Sequence, residues 1–295
     1  MNTHTRLFFG GAGPAAPRPS QRSGTVAFGA PPPAGPRFAF EQQFRLIRSA
    51  HLEERRPGAF LFVVDADGRQ LGRMWLAATE QPRVASLGRH DAAHLSIAVD
   101  EAVSLRHLLF VVRRRAGRVR ATVVDLESAS GLHTLRGQQQ VLEVERPALL
   151  RTARLSFVCV PTGPGTSLPS SAEAAWALLA EPPPRRSLFD ELLRRPALRV
   201  GSLMVRGQPF SLDAAMLERG ALIGRDARCD VIVPDPCASR VHAVVLAIDG
   251  VPHLVDAGSS NGTWSAEGER IHSVPLGAPR SFHVGRWLVG WLPAP

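Results

Sequence analysis

Ala221-Leu222-Ile223-Gly224-Arg225, then Ser239-Arg240-Val241-His242, then Asp256-Ala257-Gly258-Ser259-Ser260-Asn261-Gly262-Thr263 carry most of the information in this chain of 295 residues. Each polar cluster borders an apolar, β-prone run. These runs are Ala221-Leu222-Ile223, Val231-Ile232-Val233, Val244-Val245-Leu246-Ala247-Ile248 and Leu254-Val255. Short runs of this kind, separated by Gly, Pro, Asp and Ser, predict strands joined by turns. The polar clusters therefore fall in turns, where a rigid β scaffold presents binding groups. Arg225 and Arg240 offer forked, permanently charged donors that match a phosphate. Ser239 and Ser260 add short hydroxyl donors. Asn261 has both a donor and an acceptor for an extended backbone, and Gly262 permits positive φ and close approach. No general base stands beside a nucleophile, and no metal-ligand spacing occurs. The set suits holding an anion without reacting with it.

Glycine-arginine, serine-arginine-any-histidine, then aspartate, serine and asparagine-glycine-threonine, in this order and spacing, resemble the forkhead-associated (FHA) domain over roughly 198–292. The resemblance implies a β-sandwich that binds phosphothreonine peptides through loops at one end. It implies that Arg225, Ser239 and Ser260 contact the phosphate with Arg240 assisting, and that Asn261 holds the peptide backbone. Gly224, His242, Gly262 and Thr263 would shape the loops. After Thr263 the chain reads Trp264-Ser265-Ala266-Glu267-Gly268 where the family often has a second asparagine-glycine.

The pattern recurs upstream. Gly88-Arg89 follows Val84-Ala85-Ser86-Leu87, Ser104-Leu105-Arg106-His107 comes next, and Asp125 to Leu132 stands where the later copy has Asp256 to Thr263. An offset of this size predicts two copies of one fold rather than a short-period solenoid. The first copy replaces asparagine by Ser130, threonine by Leu132 and the preceding hydroxyl by Ala129, and its arginine is displaced to Arg106. Arg89, Ser104 and Arg106 are the candidates for a weaker second anion site. The other reading of this copy is a structural or phosphate-independent docking surface.

The predicted fold class is all-β: two FHA-like sandwiches at 58–160 and 198–295, joined by a Pro-rich linker at 161–197. The linker carries short helices at Ala172–Glu181, capped by Ser170 or Ser171, and at Ser187–Arg195. Residues 1–57 are expected to be a disordered Gly/Ala/Pro-rich arm followed by a helix from Phe40 to Arg56. Phe40, Phe44 and Ile47 share a face of that helix, and Pro57 ends it.

The net charge is +9, and all 35 basic residues are arginine. Long-range attraction to phosphorylated partners fits this charge. Nucleic-acid binding is not expected, because no aromatic platforms interleave the arginines. Arg113-Arg114-Arg115 with Gly117-Arg118 reads as a solvated hairpin tip. Three cysteines without a CxxC pair point to reduced thiols in the cytoplasm. Residues 1–30 lack a signal-type apolar core, and no apolar run is long enough to span a membrane. Gly258-Ser259-Ser260-Asn261-Gly262 matches a hydrolase nucleophile elbow, but Gly268 precludes the helix that must follow and no Asp lies downstream of Ser260. Trp264, Trp287 and Trp291 are expected to pack in the core or at an edge. The expected protein is a non-enzymatic phosphothreonine adaptor with no cofactor and no metal. Its partners would be threonine-phosphorylated proteins, a serine/threonine kinase or that kinase's substrates. A phosphate-independent scaffold is the alternative.

Overall fold

The computed structural model describes residues 35–98, 100–135, 137–152, 154–180 and 198–295. The expected arm lies outside them over residues 1–34, its last residues from Pro36 belong to the first helix, and the expected helix at Ser187–Arg195 lies outside them too. Two sandwiches of the same topology make up the described chain. In the first, one sheet has the order β2 (Gln70–Ala77), β1 (Gly58–Val64), β11 (Leu155–Thr162), β10 (Ala148–Thr152), β7 (Leu132–Thr134), β8 (Gly137–Gln139). The other has the order β4 (Leu95–Ser96), β3 (Arg83–Gly88), β5 (Leu108–Arg115), β6 (Arg118–Asp125), β9 (Val141–Val144). In the second sandwich the six-stranded order is β13 (Gln208–Asp213), β12 (Arg199–Val205), β22 (Trp287–Pro293), β21 (Arg280–Val284), β18 (Thr263–Ser265), β19 (Arg270–Ile271). Its five-stranded partner runs β15 (Val231–Ile232), β14 (Ala221–Gly224), β16 (Ala243–Ile248), β17 (Val251–Asp256), β20 (Ser273–Pro275). Element by element the two orders superimpose, down to the one parallel pair in each (β3 with β4, β14 with β15).

The strand sequences explain the layering. On β5, Leu108, Phe110 and Val112 enter the core of the first sandwich, while Leu109 and Val111 face the other way. On β16, Ala243 and Val245 enter the second core, while Leu246 and Ile248 face outward with Val244. Side chains alternate across a strand, so an unbroken apolar run requires both faces to be covered. Here the second faces cover each other. Leu109, Val111, Val124 and Leu126 pack against Leu222, Val244, Leu246, Ile248 and Val255 in a dry layer between the two five-stranded sheets.

Polar contacts fix the ends of that layer. The β16–β17 turn places Asp249 between the arginines of the β5–β6 hairpin. Arg113 and Asp249 form an ion pair, Arg120 Nη1 lies 2.7 Å from Asp249 Oδ1, and Arg115 Nη1 lies 3.1 Å from Oδ2. The hairpin is therefore not simply a solvated tip. Arg114, Arg115 and Arg118 are exposed, but Arg113 is buried against the other sandwich.

The outer face of the first six-stranded sheet is covered by α1 (Pro36–Glu53) and α2 (Ala172–Ala180). Phe40, Phe44 and Ile47 of α1, with Ala175 and Leu179 of α2, pack on Phe60, Phe62, Val158 and Val160. The shared face of Phe40, Phe44 and Ile47 is buried, and Leu46 and Leu52 are exposed. The helix lies across the sheet and ends at Glu53. Ser171 Oγ accepts from Ala174 N–H at 3.2 Å at the start of α2. β11 runs to Thr162, and α2, which the sequence puts in the linker, is part of the first sandwich's packing. In the second sandwich a single short helix, α3 (Ala214–Arg219), is capped by Asp213, whose carboxylate accepts from Met216 N–H at 2.8 Å. Among the described residues no helix is long and apolar enough to cross a membrane.

Candidate functional site

Register brings the three sequence clusters together. Ile223 pairs with Ala243, and Ala243 pairs with Asp256. The loop leaving β14, the loop entering β16 and the loop leaving β17 therefore emerge at one end of one sheet. Backbone bonds join them: Arg225 N–H donates to Ser239 O at 3.0 Å and Asp226 N–H to Arg240 O at 3.2 Å. Gly224 permits this approach, because a Cβ there would stand 2.0 Å from Arg240 O.

His242 is buried in the middle of the loops. Its Nδ1 accepts from Ser239 N–H at 3.0 Å, and its Nε2 lies 3.2 Å from Gly262 O. Burial lowers its pKa, a shift that the Asp256 charge opposes. An imidazole that accepts at Nδ1 and meets a carbonyl at Nε2 is neutral with its proton on Nε2. Asp256 forms a second knot. Its carboxylate accepts from Gly258 N–H and Ser259 N–H (both 2.9 Å), Ser259 Oγ–H (2.6 Å) and Thr263 Oγ–H (2.7 Å). Gly262 has φ of 78°, a left-handed conformation that returns the chain into β18.

On this frame sit the candidate binding groups. Ser239 is buried, and its Oγ accepts from Ser260 N–H at 3.1 Å, which leaves its own proton to donate. Ser260, Asn261, Arg225 and Arg240 are exposed. Arg225 and Arg240 have no hydrogen-bonded or ion-paired carboxylate among the described residues. Asp226, the nearest acid in sequence, is engaged by Arg228 at 3.0 and 3.1 Å, and that bond holds its carboxyl down at about 2. The loop end is thus a cationic surface set with hydroxyls. Asn261 Nδ2 donates to Cys237 O at 2.8 Å, which leaves its Oδ1 as an acceptor. Trp264 is not packed in the core: it is 38% exposed beside Asn261, whose carbonyl accepts from its indole N–H at 2.8 Å. Trp291 is in the core, and Trp287 is half-buried under Arg206. Among the described residues no cluster of His, Cys, Asp and Glu is placed to hold a metal ion.

The FHA domain family model matches residues 221–285. This segment is an FHA domain. No curated protein sequence matches the chain. Among solved structures, the FHA domain resembles Mycobacterium tuberculosis Rv1747 FHA-1, with 24% identity over 33% of this chain and 99% of that one, at a TM-score of 0.31. Mycobacterium tuberculosis EmbR in complex with a low affinity phosphopeptide matches at 26% identity over 33% of this chain and 25% of that one, at 0.29. The FHA domain of CT664 from Chlamydia trachomatis matches at 14% identity over 35% and 96%, at 0.30. The matched part of this chain spans a quarter of the EmbR chain.

The first sandwich is an FHA-like copy with the same backbone lock. Arg89 N–H donates to Ser104 O at 3.0 Å, Ser104 N–H to His107 Nδ1 at 2.9 Å, and Ser104 Oγ accepts from Ala129 N–H at 3.1 Å. Its three candidate anion-binding residues do not converge. Arg89 turns inward, its Nε donating to Val103 O at 2.5 Å, and Arg106 leaves the loop altogether for the FHA domain. The Ser–His bond fixes the equivalence: Ser104 and His107 match Ser239 and His242, so Leu105 occupies the place of Arg240 and Arg106 that of Val241. Sequence reasoning placed Asp256 and Asp125 in the motif but gave them no role in knotting the loops, and it missed the cross-domain reach of Arg106. The length of the apolar runs in β5 and β16 was the one available sign that the two copies dock.

Proposed function

We propose that the FHA domain binds phosphothreonine in an extended segment of a partner protein, and that the chain acts as a non-catalytic adaptor in serine/threonine kinase signalling. The observation that carries this reading is the loop end itself: Arg225 and Arg240 exposed without a carboxylate partner, beside the Ser239 and Ser260 hydroxyls, on a frame locked by His242 and Asp256. A phosphate dianion supplies the missing countercharge and up to three acceptor oxygens. Asn261 Oδ1 and the exposed Trp264 face would meet the backbone and side chains beside the phosphothreonine. Each charge-assisted bond contributes about 1.5–3 kcal/mol, so affinity depends on the phosphate and disappears with it.

Fluorescence anisotropy with matched phosphorylated and unphosphorylated threonine peptides tests the reading. The expected result is binding of the phosphorylated form only, weakened about 10- to 100-fold by Arg225→Ala. Equal affinity for both peptides would overturn it and leave the two sandwiches as a phosphate-independent scaffold.

A further inference from the structure

The two sandwiches dock with their loop ends pointing the same way. The hairpin end of the first meets the hairpin end of the second at Asp249, and at the other end Arg106 meets the FHA loop. Arg106 stands where the second copy has Val241, which is buried in the interdomain layer. Both positions face the partner sandwich, but arginine is long enough to cross it. Arg106 Nε donates to Gly258 O at 2.8 Å, and Nη2 donates to Ser260 Oγ at 2.9 Å. The first bond alone would anchor the side chain. The second goes to an exposed hydroxyl in the middle of the candidate site, and it fixes what that hydroxyl can do. With a lone pair occupied by the guanidinium, Ser260 Oγ keeps its own proton available to donate.

The charge arrangement points the same way. Burial disfavours the Arg106 charge, and Arg240 is close enough to add a smaller repulsion. Asp256 offsets part of this, but its oxygens are already occupied by Gly258, Ser259 and Thr263. Cations held close together without a dedicated carboxylate are costly unless an anion joins them.

We propose that Arg106 is a third cationic element of the FHA phosphate site, supplied across the interface by the first sandwich, and that it acts through Ser260. The degenerate copy then completes its neighbour's site instead of forming its own. This inference rests on the phosphothreonine reading above.

The test uses the full chain and a phosphothreonine peptide selected by the wild-type chain from a randomised library. Arg106→Gln keeps an amide donor for Gly258 O but removes the charge. It is expected to weaken binding of that peptide about tenfold and to flatten its salt dependence, and Arg106→Lys is expected to restore part of both. A merely structural Arg106 would shift the unfolding midpoint without changing the salt slope. Wild-type affinity and salt slope in Arg106→Gln, or no recovery in Arg106→Lys, would overturn the inference while leaving the phosphothreonine reading intact if Arg225→Ala still weakens binding. Tighter binding by Arg106→Gln would overturn it too, by showing that the guanidinium occupies the phosphate's place. If the wild-type chain selects no phosphothreonine peptide, both readings fall together.

Discussion

The first sandwich and the FHA domain share a frame and differ in what the frame presents. In both, a glycine lets a backbone carbonyl approach: a Cβ would lie 2.2 Å from Leu105 O at Gly88 and 2.0 Å from Arg240 O at Gly224. In both, a serine N–H locks onto a buried histidine. The differences begin one atom further out. His242 Nε2 meets Gly262 O, whereas His107 Nε2 meets the Thr152 hydroxyl. Asp256 accepts four bonds, whereas Asp125 is held mainly through Ser128, with N–H at 3.4 Å. Less well bonded and buried, Asp125 has its carboxyl pushed up to about 6, and burial pulls His107 down to about 4. The serine–histidine lock is present twice, whereas Arg240, Asn261 and Thr263 are replaced by Leu105, Ser130 and Leu132 in the first copy.

The largest effect is expected where the two copies depend on each other. Leu246→Asp places an unpaired carboxylate in the dry interdomain layer and should cost at least about 3 kcal/mol. The loss should appear in chemical denaturation as a lowered midpoint and, if the sandwiches separate, as two transitions. An unchanged single transition would show that the layer contributes little.

Next come the paired glycines. Gly88→Ala and Gly224→Ala each drive a methyl into a backbone carbonyl and should each destabilise by about 2–4 kcal/mol. A marked difference between them would break the equivalence of the two frames.

A conversion then tests why the carboxylates differ. Leu132 in the first copy stands where Thr263 bonds Asp256. Leu132→Thr should bring the Asp125 pKa down from about 6 toward the ordinary carboxylate range, read by carbon-13 NMR titration, while destabilising the first core by about 2–3 kcal/mol. A titration that does not move would show that the missing hydroxyl is not the cause.

The smallest effect concerns pH. A histidine whose folded pKa is lowered contributes stability that is present above its unfolded value and lost as pH falls toward the folded one. His107 and His242 both act in this sense below about pH 6.5. Asp125, raised on folding, acts oppositely: its protonation between about pH 6 and 4 favours the folded chain. Asp125→Asn should therefore steepen the fall of the unfolding midpoint over that window. An unchanged slope would show that Asp125 titrates normally.

Much of this was legible in the sequence. Apolar runs and turn residues marked β14 to β16 within a residue and the last part of β17, because strand patterning is local. The spacing Arg225, Ser239, Ser260 marked the FHA domain, because the register of three strands fixes how far apart in sequence adjacent loops must lie. The helix face of Phe40, Phe44 and Ile47 was visible for the same local reason. What stayed hidden were the contacts of the turns. Arg113, Arg114 and Arg115 look alike in sequence, yet Arg113 and Arg115 share the face of β5 that meets Asp249 of the other sandwich, and Arg113 is buried there. Trp264 looks like a core residue until its strand is seen to alternate, with Thr263 and Ser265 inward.

By itself the sequence determined that there are two β-sandwiches, where the candidate loops lie, and which copy carries the full motif of Arg225, Ser239, Ser260 and Asn261. Those properties follow from patterns of period two and from turn chemistry over a few residues. Only the tertiary structure decided that the sandwiches share a dry face, that their loop ends point the same way, and that Arg106 belongs to its neighbour. Docking is set by which faces of separate strands remain apolar once each core is filled, and that sum is not made by any one stretch of chain.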